Sequence, residues 1–216
     1  MKFMKPEYEK NNKEQIPFEY YLKEFASIQP QEASRRTGVP WHEDTQEFEV
    51  RMMQKTFLVK WPECTIRKKD ASDTGYGAME DGIPARIMVI RYLTRGVESV
   101  GSGRFLTYRE VPHGEVYYRQ FNGRCMMRLA FSYGNRLKDF QKRMEAMGAV
   151  ACGHGDAGYE FEFMNGYRVQ FLLWAGDDEF PPSSQILFSD NFPLSFEAED
   201  LAVVGDIAIG TLKKLL

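Results

Sequence analysis

Three cysteines, Cys64, Cys125 and Cys152, are all that 216 residues contain, and no two form a Cys-x-x-Cys pair. A scattered, odd set argues against a disulfide framework and points to a reducing compartment. Histidine is equally scarce, at His42, His113 and His154. Only Cys152 and His154 stand close together, and structural zinc sites show paired short spacings that are absent here. As a nucleophile and base, Cys152 and His154 lack any orienting motif. No Gly-Lys-Ser or Gly-Lys-Thr occurs, and Gly101-Ser102-Gly103-Arg104 falls short of a dinucleotide fingerprint. The longest nearly apolar run is Phe171–Ala175, far below the roughly 20 residues that span a bilayer. The opening Met1-Lys2-Phe3-Met4-Lys5-Pro6 lacks the apolar core of a signal peptide. The expectation is a cytoplasmic protein without membrane attachment. An excess of one charge is missing too: 28 Lys+Arg stand against 31 Asp+Glu, a net −3. That balance gives no bulk attraction to nucleic acid. Tyrosines and arginines do interleave between Tyr108 and Tyr133, but no RNP-type motif accompanies them, so nucleic acid is not the expected partner.

What is present suits a compact fold. A domain takes about 100–200 residues, and a chain near this size buries roughly 70% of its unfolded surface. Phe18, Tyr21, Leu22, Phe25 and Ile28 recur at spacings of three and four, predicting an N-terminal helix over 7–29 that Pro30 ends. A short turn of helix follows over 31–37, stopped by Gly38 and Pro40. The period then changes. Phe48, Val50 and Met52, then Phe57 and Val59, then Ile66 alternate with polar neighbours, predicting three strands in an antiparallel meander. Residues 70–82 read as a loop. Pro84 suits the first turn of a helix over 84–94.

Residues 103–111 alternate again and predict a strand, Pro112-His113-Gly114 a turn. A short helix should follow with Val116, Tyr117 and Phe121 on one side. Leu137, Phe140, Met144 and Met147 mark a helix over 136–147, with Asn135 as N-cap and Gly148 as C′. Phe161 and Phe163, then Val169 to Trp174, predict a hairpin turning at Asn165-Gly166. The last helix spans 197–215, acidic in its first turn and basic in its last, as the helix dipole favours. Its Gly205 and Gly210 weaken it and suggest close approach of another element. No linker divides the chain. The expected fold is one α+β domain, residues 1–216, an antiparallel sheet with helices packed on it.

Charge is segregated along the chain. Residues 86–143 hold twelve Lys/Arg and four Asp/Glu, and residues 144–212 hold twelve acids and Arg168 alone. Either the halves interleave and neutralise each other, or a dipolar surface binds an anionic ligand or partner.

The most unusual stretch is Trp174-Ala175-Gly176-Asp177-Asp178-Glu179-Phe180-Pro181-Pro182. Adjacent carboxylates repel, so they must be solvated or given a cation. Oxygen clusters of this kind suit Mg²⁺ or Ca²⁺. The candidate ligand-binding residues are Trp174, Asp177, Asp178, Glu179, Asp156 and His154. Asp177, Asp178, Glu179 and Asp156 are the candidate ligands of a divalent metal, and Asp190 is a further oxygen donor. The expected function is a ligand- or partner-binding accessory domain, its partner a protein or a small molecule. The alternative is a metal-assisted hydrolase or transferase using Asp177-Asp178-Glu179, with His154 as proton carrier.

Several segments together resemble a known family. They are Phe105 to Gly114, Tyr117 to Phe121, Gly155-Asp156-Ala157-Gly158-Tyr159, Trp174 to Pro181, Ile186 to Asp190 and Ala198-Glu199-Asp200. The chain resembles domain-of-unknown-function family 3786 of bacteria and archaea, over about 31–216 and most densely over 103–200. No activity is assigned to that family. The resemblance implies a compact domain and a site around Asp177–Glu179. Some members carry a cysteine-rich iron–sulfur segment, which implies a link to one-carbon or redox metabolism in anaerobes. This chain has no such cysteine run, so no cluster carries over.

Overall fold

A computed structural model describes residues 12–215. Residues 7–11 of the expected first helix lie outside it, and α1 is described over Asn12–Ser27. The helix α2, Pro30–Thr37, opens on a proline and closes on Gly38 at φ 68°, where the missing Cβ removes the left-handed penalty. Strands β1 (Trp41–His42), β2 (Glu47–Met52), β3 (Lys55–Lys60) and β4 (Thr65–Lys68) follow. β2, β3 and β4 form the expected meander, with Val50 facing Phe57 and Val59 facing Ile66. The loop over 70–82 contains one short helix, α3 (Ala78–Asp81), before α4 (Ile83–Arg95). Arg36 closes the far end of α4, donating to the carbonyls of Leu93 at 2.7 Å and Thr94 at 3.0 Å, and to that of Gly96. These are carbonyls a helix end leaves unpaired.

The expected strand over 103–111 is shorter. β5 is Phe105–Thr107, and Tyr108–Glu110 coil into a 3₁₀ turn. Glu110 explains the change, because its carboxylate accepts from the Thr107 amide at 2.7 Å and pulls the chain out of the sheet. α5 (Gly114–Phe121) runs through a π turn (Asn122–Met126) into α6 (Met127–Tyr133). Phe121 is buried, but Val116 is 76% exposed and does not join it. α7 spans Leu137–Ala146, and its N-cap is Arg136 without a side-chain bond, not Asn135. Gly148 at φ 78° ends it as expected.

β6 (Val150–Ala151), β7 (Ala157–Met164), β8 (Tyr167–Trp174) and β9 (Ser183–Ser189) complete the sheet, and α8 (Ala198–Lys214) closes the described chain. The β7–β8 turn has φ 41° at Asn165 and φ 90° at Gly166, the two-residue geometry expected. The described residues form one nine-stranded antiparallel sheet, ordered β4-β3-β2-β7-β8-β9-β5, with β1 against β2 and β6 against β7. The sequence pattern does not predict β9, which carries the path from β8 to β5.

Alternation gives the sheet two unlike faces. Phe48, Val50, Phe57, Val59, Phe161, Phe163, Val169, Phe171, Ile186 and Phe188 are buried in the core. Burying each such side chain contributes about 1.5–3 kcal/mol. On the opposite face Arg51 pairs with Glu162 at 3.0 Å, and Gln170 donates to Glu160 at 2.9 Å. Buried tyrosines satisfy their hydroxyls on backbone: Tyr92 on the Thr37 carbonyl at 2.9 Å and Tyr108 on that of Ala198 at 2.7 Å. Tyr108 also stacks on Phe121 at 3.9 Å between ring centres. Gly205 is where α8 meets the π turn, since a Cβ there would lie 2.8 Å from Cys125 Sγ. Gly210 differs from that expectation and faces open space.

Candidate functional site

The acidic corner between β8 and β9 is a self-contained turn. Asp177 Oδ1 accepts from the amides of Phe180 at 2.7 Å and Glu179 at 2.9 Å, and the Asp177 amide donates to the Phe180 carbonyl at 2.9 Å. The Phe180 and Glu179 amides hold the Asp177 carboxyl below the usual aspartate range. Asp178 and Glu179 are exposed. Asp156, at the start of β7, accepts from the Ala175 amide at 2.8 Å and donates its own amide to the Leu173 carbonyl. Trp174 stands at the end of β8, 39% exposed. His154 is exposed in a loop whose Gly153 and Gly155 are both at φ 70°. The fold thus joins Asp156 to the segment that follows Trp174. It does not gather Asp177, Asp178, Glu179 and Asp156 as a ligand set, because Asp177 and Asp156 turn to backbone amides and the other two to solvent. Among the described residues no group of three or more His, Cys, Asp or Glu could hold a metal ion. Asp190 stands elsewhere, accepting from the Ser102 amide at 2.9 Å.

The cysteines are not activated. Burial pushes Cys64 and Cys125 up to about 12. Burial also raises Cys152, whose Sγ lies close to Gly158.

The segregated charges largely interleave. Arg91 reaches Asp200 at 2.9 Å and Glu197 at 3.4 Å. Arg128 reaches Asp206 at 2.8 Å, and Arg124 pairs with the same carboxylate. No ion pair among the described residues involves Lys138 or Lys142 of α7, or Asp178 or Glu179.

A deep concavity lies at the other end of the sheet. It is a cleft of about 680 Å³ bounded by the β2–β3 turn, the end of β4 with the following loop, and the C-terminal ends of α7 and α8. The β2–β3 turn places Met53 at φ 46° and Gln54 at φ 66°. Met52, Met53 and Met147, all buried, supply an apolar lining. Unbranched thioethers adapt to irregular shapes. Tyr76 lines the cleft beside them, with the Lys214 ammonium 4.7 Å from its ring centre.

The rim is charged and knitted together. Lys55 pairs with Asp73. Lys68, whose side chain is 10% exposed, meets Glu80 at 3.3 Å and donates to the carbonyls of Asp73, at 2.8 Å, and Gly75. The Lys55 ammonium, then the Gly75 amide, hold the Asp73 carboxyl below its usual range. Asp70 accepts from the Ser72 amide at 2.9 Å, which tightens the same loop. Lys69 reaches Glu49 at 2.8 Å on the outer sheet face. Two strands therefore pin a polar loop over an apolar floor. Sequence reasoning missed this cleft. Its signal was Arg67-Lys68-Lys69 running into an Asp-, Gly- and Ser-rich loop.

No helix of the described residues is long and apolar enough to cross a membrane. The family model described as Domain of unknown function (DUF3786) matches residues 29–211. No curated protein and no solved structure matches the chain.

Proposed function

The chain belongs to the DUF3786 domain family, and from that premise we propose that it is a ligand-binding accessory domain whose site is the methionine-floored cleft. The carrying observation is a concavity of about 680 Å³ assembled from four separate stretches of chain, within the roughly 300–1,000 Å³ that small-molecule sites occupy. Its chemistry supports a ligand with an apolar body, seated on Met52, Met53 and Met147, and polar groups facing Lys55 and Asp70 at the rim. The knitted loop supports a largely preformed site, which lowers the ordering cost of binding.

Methyl-labelled methionine gives a direct test. A fragment library screened by NMR should yield hits that move the Met52, Met53 and Met147 methyl signals together. Ala146→Trp, which fills the mouth, should abolish those shifts while the fold is retained. Hits that cluster elsewhere, or that survive the blocking substitution, would refute the assignment.

A further inference from the structure

A second surface stands apart from the cleft. Met127 and Phe131 lie one turn apart on α6 and are 47% and 63% exposed. Their face continues one turn on to Gly134, whose missing Cβ admits Pro182. The corner that ends in Pro182 also carries Phe180, 67% exposed, and its Gly176 packs beside Asn135. Three large apolar side chains thus meet solvent where α6 abuts the 176–182 corner. Exposed clusters of this kind mark association surfaces.

The charges bordering this face identify what covers it. Beside Phe180 the Asp178 and Glu179 carboxylates are exposed and without an ion pair. α7, which starts two residues beyond Asn135, exposes Lys138 and Lys142 one turn apart, also without an ion pair. A purely acidic or purely basic partner would set one of these groups against like charge. A two-fold axis joins a surface to itself, so each copy's carboxylates can meet the other's ammonium groups. We propose that the Met127, Phe131 and Phe180 face is the docking surface for a second copy of this chain, with Asp178 and Glu179 of each copy opposite Lys138 and Lys142 of the other.

Sedimentation velocity on the full chain, from about 1 µM to about 1 mM, tests this. The expected result is a concentration-dependent dimer that weakens as salt is raised. Phe131→Asp should weaken association at least about tenfold. Two charge-reversed variants sharpen the test: Asp178→Lys with Glu179→Lys, and Lys138→Glu with Lys142→Glu. Each should fail to dimerise alone, and the two should form a heterodimer when mixed. All these residues are exposed, and circular dichroism checks that each variant folds. A parent chain that stays monomeric throughout, a dimer indifferent to Phe131→Asp, or a mixture that stays monomeric would each overturn the proposal.

Discussion

At the corner between β8 and β9 three carboxylates follow one another in sequence, and neither Asp178 nor Glu179 meets a cation. Around the cleft three lysines come from β3, β4 and the residue after it, and each meets a carboxylate: Lys55 with Asp73, Lys68 with Glu80, Lys69 with Glu49. Neighbours in sequence share a sign and share solvent. Groups brought together by chain crossing can have opposite signs and shield each other from water. Crowding of charge along a sequence is therefore a poor guide to a site, while pairing across strands builds a rigid wall.

The largest difference should come from Met52→Ala, which empties a position 1% exposed between the core and the cleft. It should cost about 3 kcal/mol in urea unfolding, whereas Asp178→Ala should leave the midpoint unchanged. An equal response from both would erase the contrast.

A smaller effect is expected from Lys68→Met. It keeps the apolar stem but frees the Asp73 and Gly75 carbonyls and leaves Glu80 without its partner. The loss should be about 1–2 kcal/mol, and amide exchange should quicken over residues 70–77 more than in the sheet. Uniform quickening would show that the loop is not held by this lysine.

Titration separates a buried acid from an exposed one. Burial raises the Asp200 carboxyl despite the Glu197 amide and Arg91 beside it. The folded state then holds that proton more tightly than the unfolded one, so stability is lost as pH climbs from the ordinary value through the raised one. Asp177 runs the other way. Its contribution is present above the ordinary value and is lost as pH falls through the lowered one. Carbon-detected carboxyl titration should place Asp200 above 3.8 and Asp177 below it; both on one side would void the distinction. The smallest effect belongs to Asp177→Ala, which should speed exchange of the Glu179 and Phe180 amides and lower the global midpoint only slightly.

Much of the frame was legible because local chemistry dictated it. Asn165-Gly166 marked its turn through two positive φ values, and Gly148 marked the end of α7 in the same way. Alternation at Phe48, Val50, Phe57 and Val59 marked the meander because one sheet face is buried and the other wet. β9 escaped because Ser183, Ser184 and Gln185 dilute its apolar pattern, and its place between β8 and β5 is fixed by pairing alone. The 103–111 strand was overextended because Glu110's reach back to Thr107 is a side-chain event that periodicity does not register. At the corner the sequence revealed three acids but not their direction, which depends on which amide each carboxylate finds. The cleft was illegible for a stronger reason: Lys55, Asp73, Met147 and Leu215 become neighbours only through the tertiary fold.

The widened turn at 122–126 solves a counting problem. Phe121, Cys125, Leu129 and Tyr133 are all buried, at steps of four. Twelve residues of ordinary α-helix would carry Tyr133 about 120° around the axis from Phe121, so an unbroken coil would swing one end of the row away from the core. The broader winding stores the surplus residue and keeps the row straight. A chain lacking exposed Gly123 would step three, four and four, and a plain α-helix would keep those ends within about 20° of each other. This helix should therefore tolerate the loss of one residue at that spot better than the gain of one.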